Sequence, residues 1–113
     1  MLDRTLYAGL SKLAPGRVAG ELAPHVEAHV AFMIELEARG VLFASGPFQK
    51  DGKATGEGLT IVRAASIDDA RQLLAGDPFA TSGLRTWDVR EWHLLEGAIT
   101  VTLHASQQRG SLP

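Results

Sequence analysis

His29 is the residue on which any chemistry in this chain would turn. It lies in the run from Pro24 to Arg39. On a helix turning about 100° per residue, Leu22, Val26, His29, Met33 and Leu36 fall on one stripe, the pattern of a surface that faces a core. An imidazole in such a seam must be hydrogen-bonded, because an unpaired buried polar group costs about 1–3 kcal/mol. With an unperturbed pKa of ~6.5, histidine can both take and give a proton near neutral pH. The ring is then either a general acid/base or a core histidine satisfied by a neighbour, and its partner decides which. His25 stands four residues earlier, a spacing at which two imidazoles could share a metal ion. No third ligand accompanies them, and no metal is expected. Ser45 could offer a hydroxyl to a ligand at a strand end, against its plainer role as a turn former with Gly46 and Pro47. Phe48, Phe79 and Trp92 are the aromatic residues that could line an apolar pocket, the alternative being core or interface positions. His93 and His104 have no companions in sequence.

Composition narrows what such a site could serve. A chain of 113 residues with 45% hydrophobic content suits one domain with a real core, here residues 1–105, followed by a polar, flexible tail at 106–113. Eleven Lys and Arg against thirteen Asp and Glu give a formal charge of −2, so there is no basic field for nucleic acid and no polybasic patch for anionic lipid. Cysteine is absent, which removes disulfides, thiolate nucleophiles and Cys-based zinc sites, and fits a reducing cytoplasm. The start, Met1 to Tyr7, has no basic segment followed by an apolar run, and no stretch approaches the ~18 apolar residues of a membrane span. The glycines sit at turns rather than in a phosphate-cradling loop before a helix, so no nucleotide cofactor is expected. The composition describes a soluble cytoplasmic protein working without cofactors.

The elements that must position His29 can be read in order. Thr5 to Leu13 is β-compatible and closed by Pro15-Gly16. A helix starts between Val18 and Pro24 and stops at Gly40, which follows Arg39 as a C′ glycine. Val41 to Ala44 is apolar at every position, the mark of a strand covered on both faces, and Ser45-Gly46-Pro47 ends it. A polar loop over residues 49–56 leads to a strand from Leu59 to Ala64. Ser66 to Asp69 resembles a capping box opening a short amphipathic helix with Ala70, Leu73 and Leu74 on its apolar face. Gly76 ends that helix, and Asp77-Pro78-Phe79 forms a turn or a new short helical start. Thr86 to Trp92 is a further strand, and Ile99, Val101 and Leu103 alternate with polar residues in an additional terminal strand. The order β-α-β-β-α-β is that of a ferredoxin-like α+β sandwich, with two helices on one face of a four-stranded sheet. Two helices cannot cover both faces, so sheet-to-sheet homodimerisation or a higher homo-oligomer is expected.

His29, Gly40 eleven residues later, Gly46-Pro47, the triplet Asp77-Pro78-Phe79 and Trp92 closing a strand occur in an order and spacing that resemble the YCII-related (YciI-like) family, over about Leu6 to Trp92. The resemblance implies a dimeric α+β barrel of ferredoxin-like subunits and an active site built on a His and Asp pair, which maps onto His29 and Asp77. An activity described in that family is elimination of chloride from a chlorinated hydroxyquinol. Carried over, this makes the chain a cofactor-independent enzyme of isomerase or lyase type acting on a small cyclic or aromatic substrate. The competing class is a non-catalytic domain that binds a small molecule or only dimerises. The two differ in what surrounds His29, since an enzyme needs a cavity large enough for a ligand and open to solvent, whereas a structural histidine is sealed in by packing. In either case Asp77 is expected within hydrogen-bond reach of His29, directly or through one water, at the mouth of an apolar pocket lined by some of Phe48, Phe79 and Trp92. A separation above about 7 Å with no bridging water would exclude a proton relay.

Overall fold

The computed structural model describes residues 4–98. Strand β1 (Arg4–Leu13) lies in a four-stranded antiparallel sheet of order β2-β3-β1-β4, with β2 (Leu42–Lys50), β3 (Lys53–Val62) and β4 (Arg85–Leu94). Registers Tyr7↔Val62, Gly9↔Thr60 and Gly9↔Val89 put these residues on one face, while Ala8↔Ile61, Leu10↔Leu59 and Leu6↔Trp92 share the other. Helices α1 (Val26–Ala38), α2 (Ile67–Ala75) and the short α3 (Pro78–Thr81) pack on the first face, α1 against β2 and α2 against β4 and β1. This is the α+β sandwich that the sequence order implies. The expected terminal strand from Ile99 and the tail from Ser106 lie outside the described residues.

Helix α1 is terminated as Gly40 predicts. Gly40 adopts φ +74, its N–H donates to the Glu37 carbonyl at 3.0 Å, and the Val41 N–H reaches back to the Leu36 carbonyl at 3.0 Å, a Schellman closure. Its start differs from expectation. Ala19–His25 is a 3-10 helix that contains Pro24, and the α-helix begins only at Val26. Three residues per turn instead of 3.6 advance the phase, and Val26, 45% exposed, leaves the stripe that Leu22, Met33 and Leu36 keep. At its head the Glu21 carboxylate accepts the Val18 N–H at 3.0 Å.

The hairpin is tighter and longer than the sequence suggests. β2 runs straight through Ser45-Gly46-Pro47 to Lys50, which an edge strand permits because proline's missing donor faces no partner. Irregular register at Leu42/Ala44 and Pro47/Gln49 absorbs the misfit. The connection is two residues, Asp51 and Gly52, both at positive φ (+53 and +77), in place of the long loop expected at 49–56. That is the Asp-Gly signature of a type I′ turn, whose twist matches that of the strands it joins. Val41 to Ala44 is not covered on both faces within the chain: Val41, Leu42 and Phe43 are half-buried and Ala44 is exposed.

The core divides into two clusters. Tyr7, Val62, Ala70, Leu74 and Val89 pack beneath α2, whose N-cap Ser66 accepts the Asp69 N–H at 3.1 Å. Leu22, Phe79 and Leu84, with Leu13, form the second cluster beside the 3-10 helix. Buried Ser11 and Thr60 lie on the same face of the sheet as these clusters. Gly9 is required by close approach, since a Cβ there would stand 2.6 Å from Leu74 Cδ1 and 2.9 Å from Trp87 Cε3.

Candidate active site

The chain reverses sharply after α2. The Asp77 N–H donates to the Leu74 carbonyl at 3.1 Å, Asp77 turns to an extended conformation, and Pro78 opens α3. Asp77 and Pro78 suit these places for separate reasons. An N-cap carboxylate satisfies an orphan helix donor, and proline at the first helical position lacks a donor that would otherwise be unsatisfied. Asp77 Oδ1 accepts the Phe79 N–H at 3.1 Å.

The same oxygen lies 2.8 Å from His29 Nδ1. A carboxylate can only accept, so His29 donates through Nδ1–H, and this assignment leaves Nε2 with the lone pair. Asp77 is fully buried, whereas the His29 side chain keeps 20% of its surface in solvent. The imidazole is held from a second direction by the Phe79 ring, stacked at 4.3 Å with 20° between planes. One triplet thus supplies both constraints: Asp77 fixes the tautomer and Phe79 the ring plane. Asp77 Oδ2 is buried with no hydrogen-bond partner among the described residues.

Arg85, the first residue of β4, completes this cluster. Its guanidinium sits 4.5 Å from the Phe79 ring centroid, and its Nε–H donates to the Gly56 carbonyl at 2.7 Å. Burial pushes its pKa down, and the charges of Asp77 and Glu57 pull it back up. Nothing in the sequence marks Arg85, a lone cation after a Ser-Gly turn with no partner at helical or strand spacing.

The other residues singled out from sequence are distributed differently. Ser45 is not a turn former but a strand residue paired with Thr60, their hydroxyls 2.8 Å apart on the helix-bearing face of the sheet. Phe48 and Trp92 do not join Phe79 around His29. Trp92 pairs with Leu6 on the helix-free face, and Phe48 lines a shallow hollow there with Ala44, Leu59 and Ile61. The two-residue periodicity of β2 and β4 sends both rings away from the helices. Among the described residues, no three His, Asp or Glu side chains converge as a metal ion would require. No described helix is long and apolar enough to cross a membrane.

Several known proteins resemble this chain. YjpA of Bacillus subtilis (strain 168), an uncharacterised protein, is 34% identical over 70 residues, 62% of this chain and 78% of that one. Among solved structures, 5-chloro-2-hydroxyhydroquinone dehydrochlorinase (TftG) of Burkholderia phenoliruptrix AC1100, in complex with 2,5-dihydroxybenzoquinone, superposes with a TM-score of 0.65. It is 25% identical, and the match covers 77% of this chain and 92% of that enzyme. SnoaB, a cofactor-independent oxygenase of Streptomyces nogalater, gives a TM-score of 0.48 at 16% identity, covering 85% of this chain and 97% of that one. The model of the YCII-related domain matches residues 5–93, nearly the whole of the described fold, and the chain belongs to the YCII-related family.

Proposed function

We propose that this protein is a cofactor-independent enzyme in which His29, oriented by Asp77, is the general acid/base for isomerisation or elimination on a small cyclic or aromatic substrate. The observation that carries the reading is the 2.8 Å bond from His29 Nδ1 to a fully buried carboxylate oxygen, made by a side chain that itself keeps 20% of its surface in solvent. In such a pair Nε2 takes a proton from a phenol oxygen or from carbon next to a carbonyl. The anion of Asp77 stabilises the imidazolium that results. Returning the proton at another position gives isomerisation. Departure of a leaving group with its electron pair from the resulting carbanion or enolate gives elimination, and the dehydrochlorinase activity of TftG supports this second outcome.

The test uses 5-chloro-2-hydroxyhydroquinone as first substrate, with chloride release as the signal. His29→Ala and Asp77→Asn should each lower turnover by about 10²-fold or more, and the double variant should lose little beyond either single one, because the two act as a unit. Variants that keep turnover within about threefold of the parent while losing thermal stability would establish a structural pair instead.

A homodimer, or a higher homo-oligomer built on it, belongs to the same proposal. Ala8, Leu10, Leu59 and Ile61 are only partly buried on the helix-free face, and Phe48 and Trp92 there are 42% and 38% exposed. This face is apolar across β1, β3 and β2, with Asp88 and Arg90 of β4 beside it, and such an apolar area is what a second copy would cover.

A further inference from the structure

Arg85 is held as binding residues are held, yet the protein makes no full use of it. Its Nε–H is committed to the Gly56 carbonyl, and its guanidinium carbon lies 4.5 Å from the centroid of the Phe79 ring that also stacks on His29. The two terminal nitrogens have no hydrogen-bond partner among the described residues. Asp77 and Glu57 act on the guanidinium through their charge without an ion-pair contact, and one oxygen of each is engaged by other donors. Asp77 Oδ1 serves His29 and the Phe79 N–H, while Glu57 Oε2 accepts the Leu13 N–H at 2.9 Å. A half-buried cation has lost part of its hydration, and here no carboxylate returns that loss by direct contact. With Nε occupied, the terminal pair of nitrogens presents a planar fork suited to two oxygens of one anion.

We propose that Arg85 is the anion-binding residue of the His29–Asp77 site, receiving a carboxylate, phenolate or enolate of the substrate on its terminal nitrogens. The substrate class is then narrowed from small ring compounds to those that are anionic at neutral pH. This rests on the proposed function in that the ligand is the one His29 acts upon. Phe79 is the residue that touches both side chains, the imidazole at 4.3 Å and the guanidinium carbon at 4.5 Å from its ring centroid.

The probe is 2,5-dihydroxybenzoquinone, a vinylogous acid that is anionic at neutral pH, compared with its neutral dimethyl ether, 2,5-dimethoxybenzoquinone, by calorimetric titration of the full chain. The parent should bind the anion and discriminate against the ether. Arg85→Gln should weaken the anion by about tenfold or more while changing the ether little, and Arg85→Lys, which restores charge without the fork, should recover part of the loss. Should Arg85→Gln fold poorly, the Arg85 Nε–H resonance of the parent must move on titration with the anion, saturating at the calorimetric affinity. The proposal is overturned by equal affinity for anion and ether, by no saturable binding of the anion at millimolar concentration, or by Arg85→Gln binding it as the parent does. His29→Gln separates the two readings. If it keeps anion selectivity and also keeps turnover, the general-base assignment falls while the Arg85 site stands.

Discussion

Replacing Asp77 by alanine removes one oxygen's worth of bonding that serves two elements, and its cost can be worked from the geometry. The lost cap leaves the Phe79 N–H unsatisfied at the head of α3, worth about 0.5–2 kcal/mol. The lost acceptor leaves His29 Nδ1–H without its 2.8 Å partner. A hydrogen bond to a charged group contributes about 1.5–3 kcal/mol, reduced here because His29 keeps some contact with water. These two terms share a site and are not additive, so about 2–4 kcal/mol is expected, or a fall in Tm of about 10–25 °C for a domain of this size. Asparagine is the informative control. Its amide oxygen can replace Oδ1 for both donors, and its amide group falls where Oδ2 already lacks a partner, so Asp77→Asn should lose less than half as much stability as Asp77→Ala. Urea denaturation at fixed protein concentration measures both, since any assembly would make stability concentration-dependent. Equal losses for the two variants, or less than about 0.5 kcal/mol for alanine, would refute the account of Oδ1 as a shared acceptor.

Two further outcomes follow from the packing. Gly9→Ala must place a methyl group 2.6 Å from Leu74 Cδ1 and 2.9 Å from Trp87 Cε3, inside the main core cluster, and should cost about 1–3 kcal/mol in the same denaturation assay; a neutral result would mean that β1 and α2 separate freely. Ile61→Glu puts a charge in the middle of the helix-free sheet face and should convert a dimer into a folded monomer by light scattering at micromolar concentration. A parent protein already monomeric there would remove the sheet-to-sheet proposal.

Much of this architecture is legible in residue order, because it rests on local chemistry. Gly40 after Arg39 specifies the end of α1, Ser66 with Asp69 specifies the start of α2, and the Asp-Pro pair at 77–78 specifies a capped turn. The approach of Asp77 to His29, 48 residues apart, is legible only through family resemblance, since nothing local encodes it. Other features were obscured by competing signals. Pro47 reads as a strand end unless the strand is known to be an edge, and Asp51-Gly52 names the hairpin turn but was diluted by glycines on either side. By residue type Phe48 and Trp92 suit a pocket lining as well as a core or an interface, and the face they take is fixed by register, which one sequence does not reveal. Arg85 carries no local signal at all.

The double duty of Asp77 Oδ1 has a consequence for how the site comes and goes. Helix α3 is four residues long, too short to persist outside its tertiary setting, and its first hydrogen-bonded turn closes on the oxygen that also holds the imidazole. Fraying of that turn and release of His29 are therefore one event, and the Phe79 amide reports it. Its deuterium exchange rate in the native protein measures how often His29 is set free, and a ligand that locks the ring should slow that single amide without touching those of the sheet.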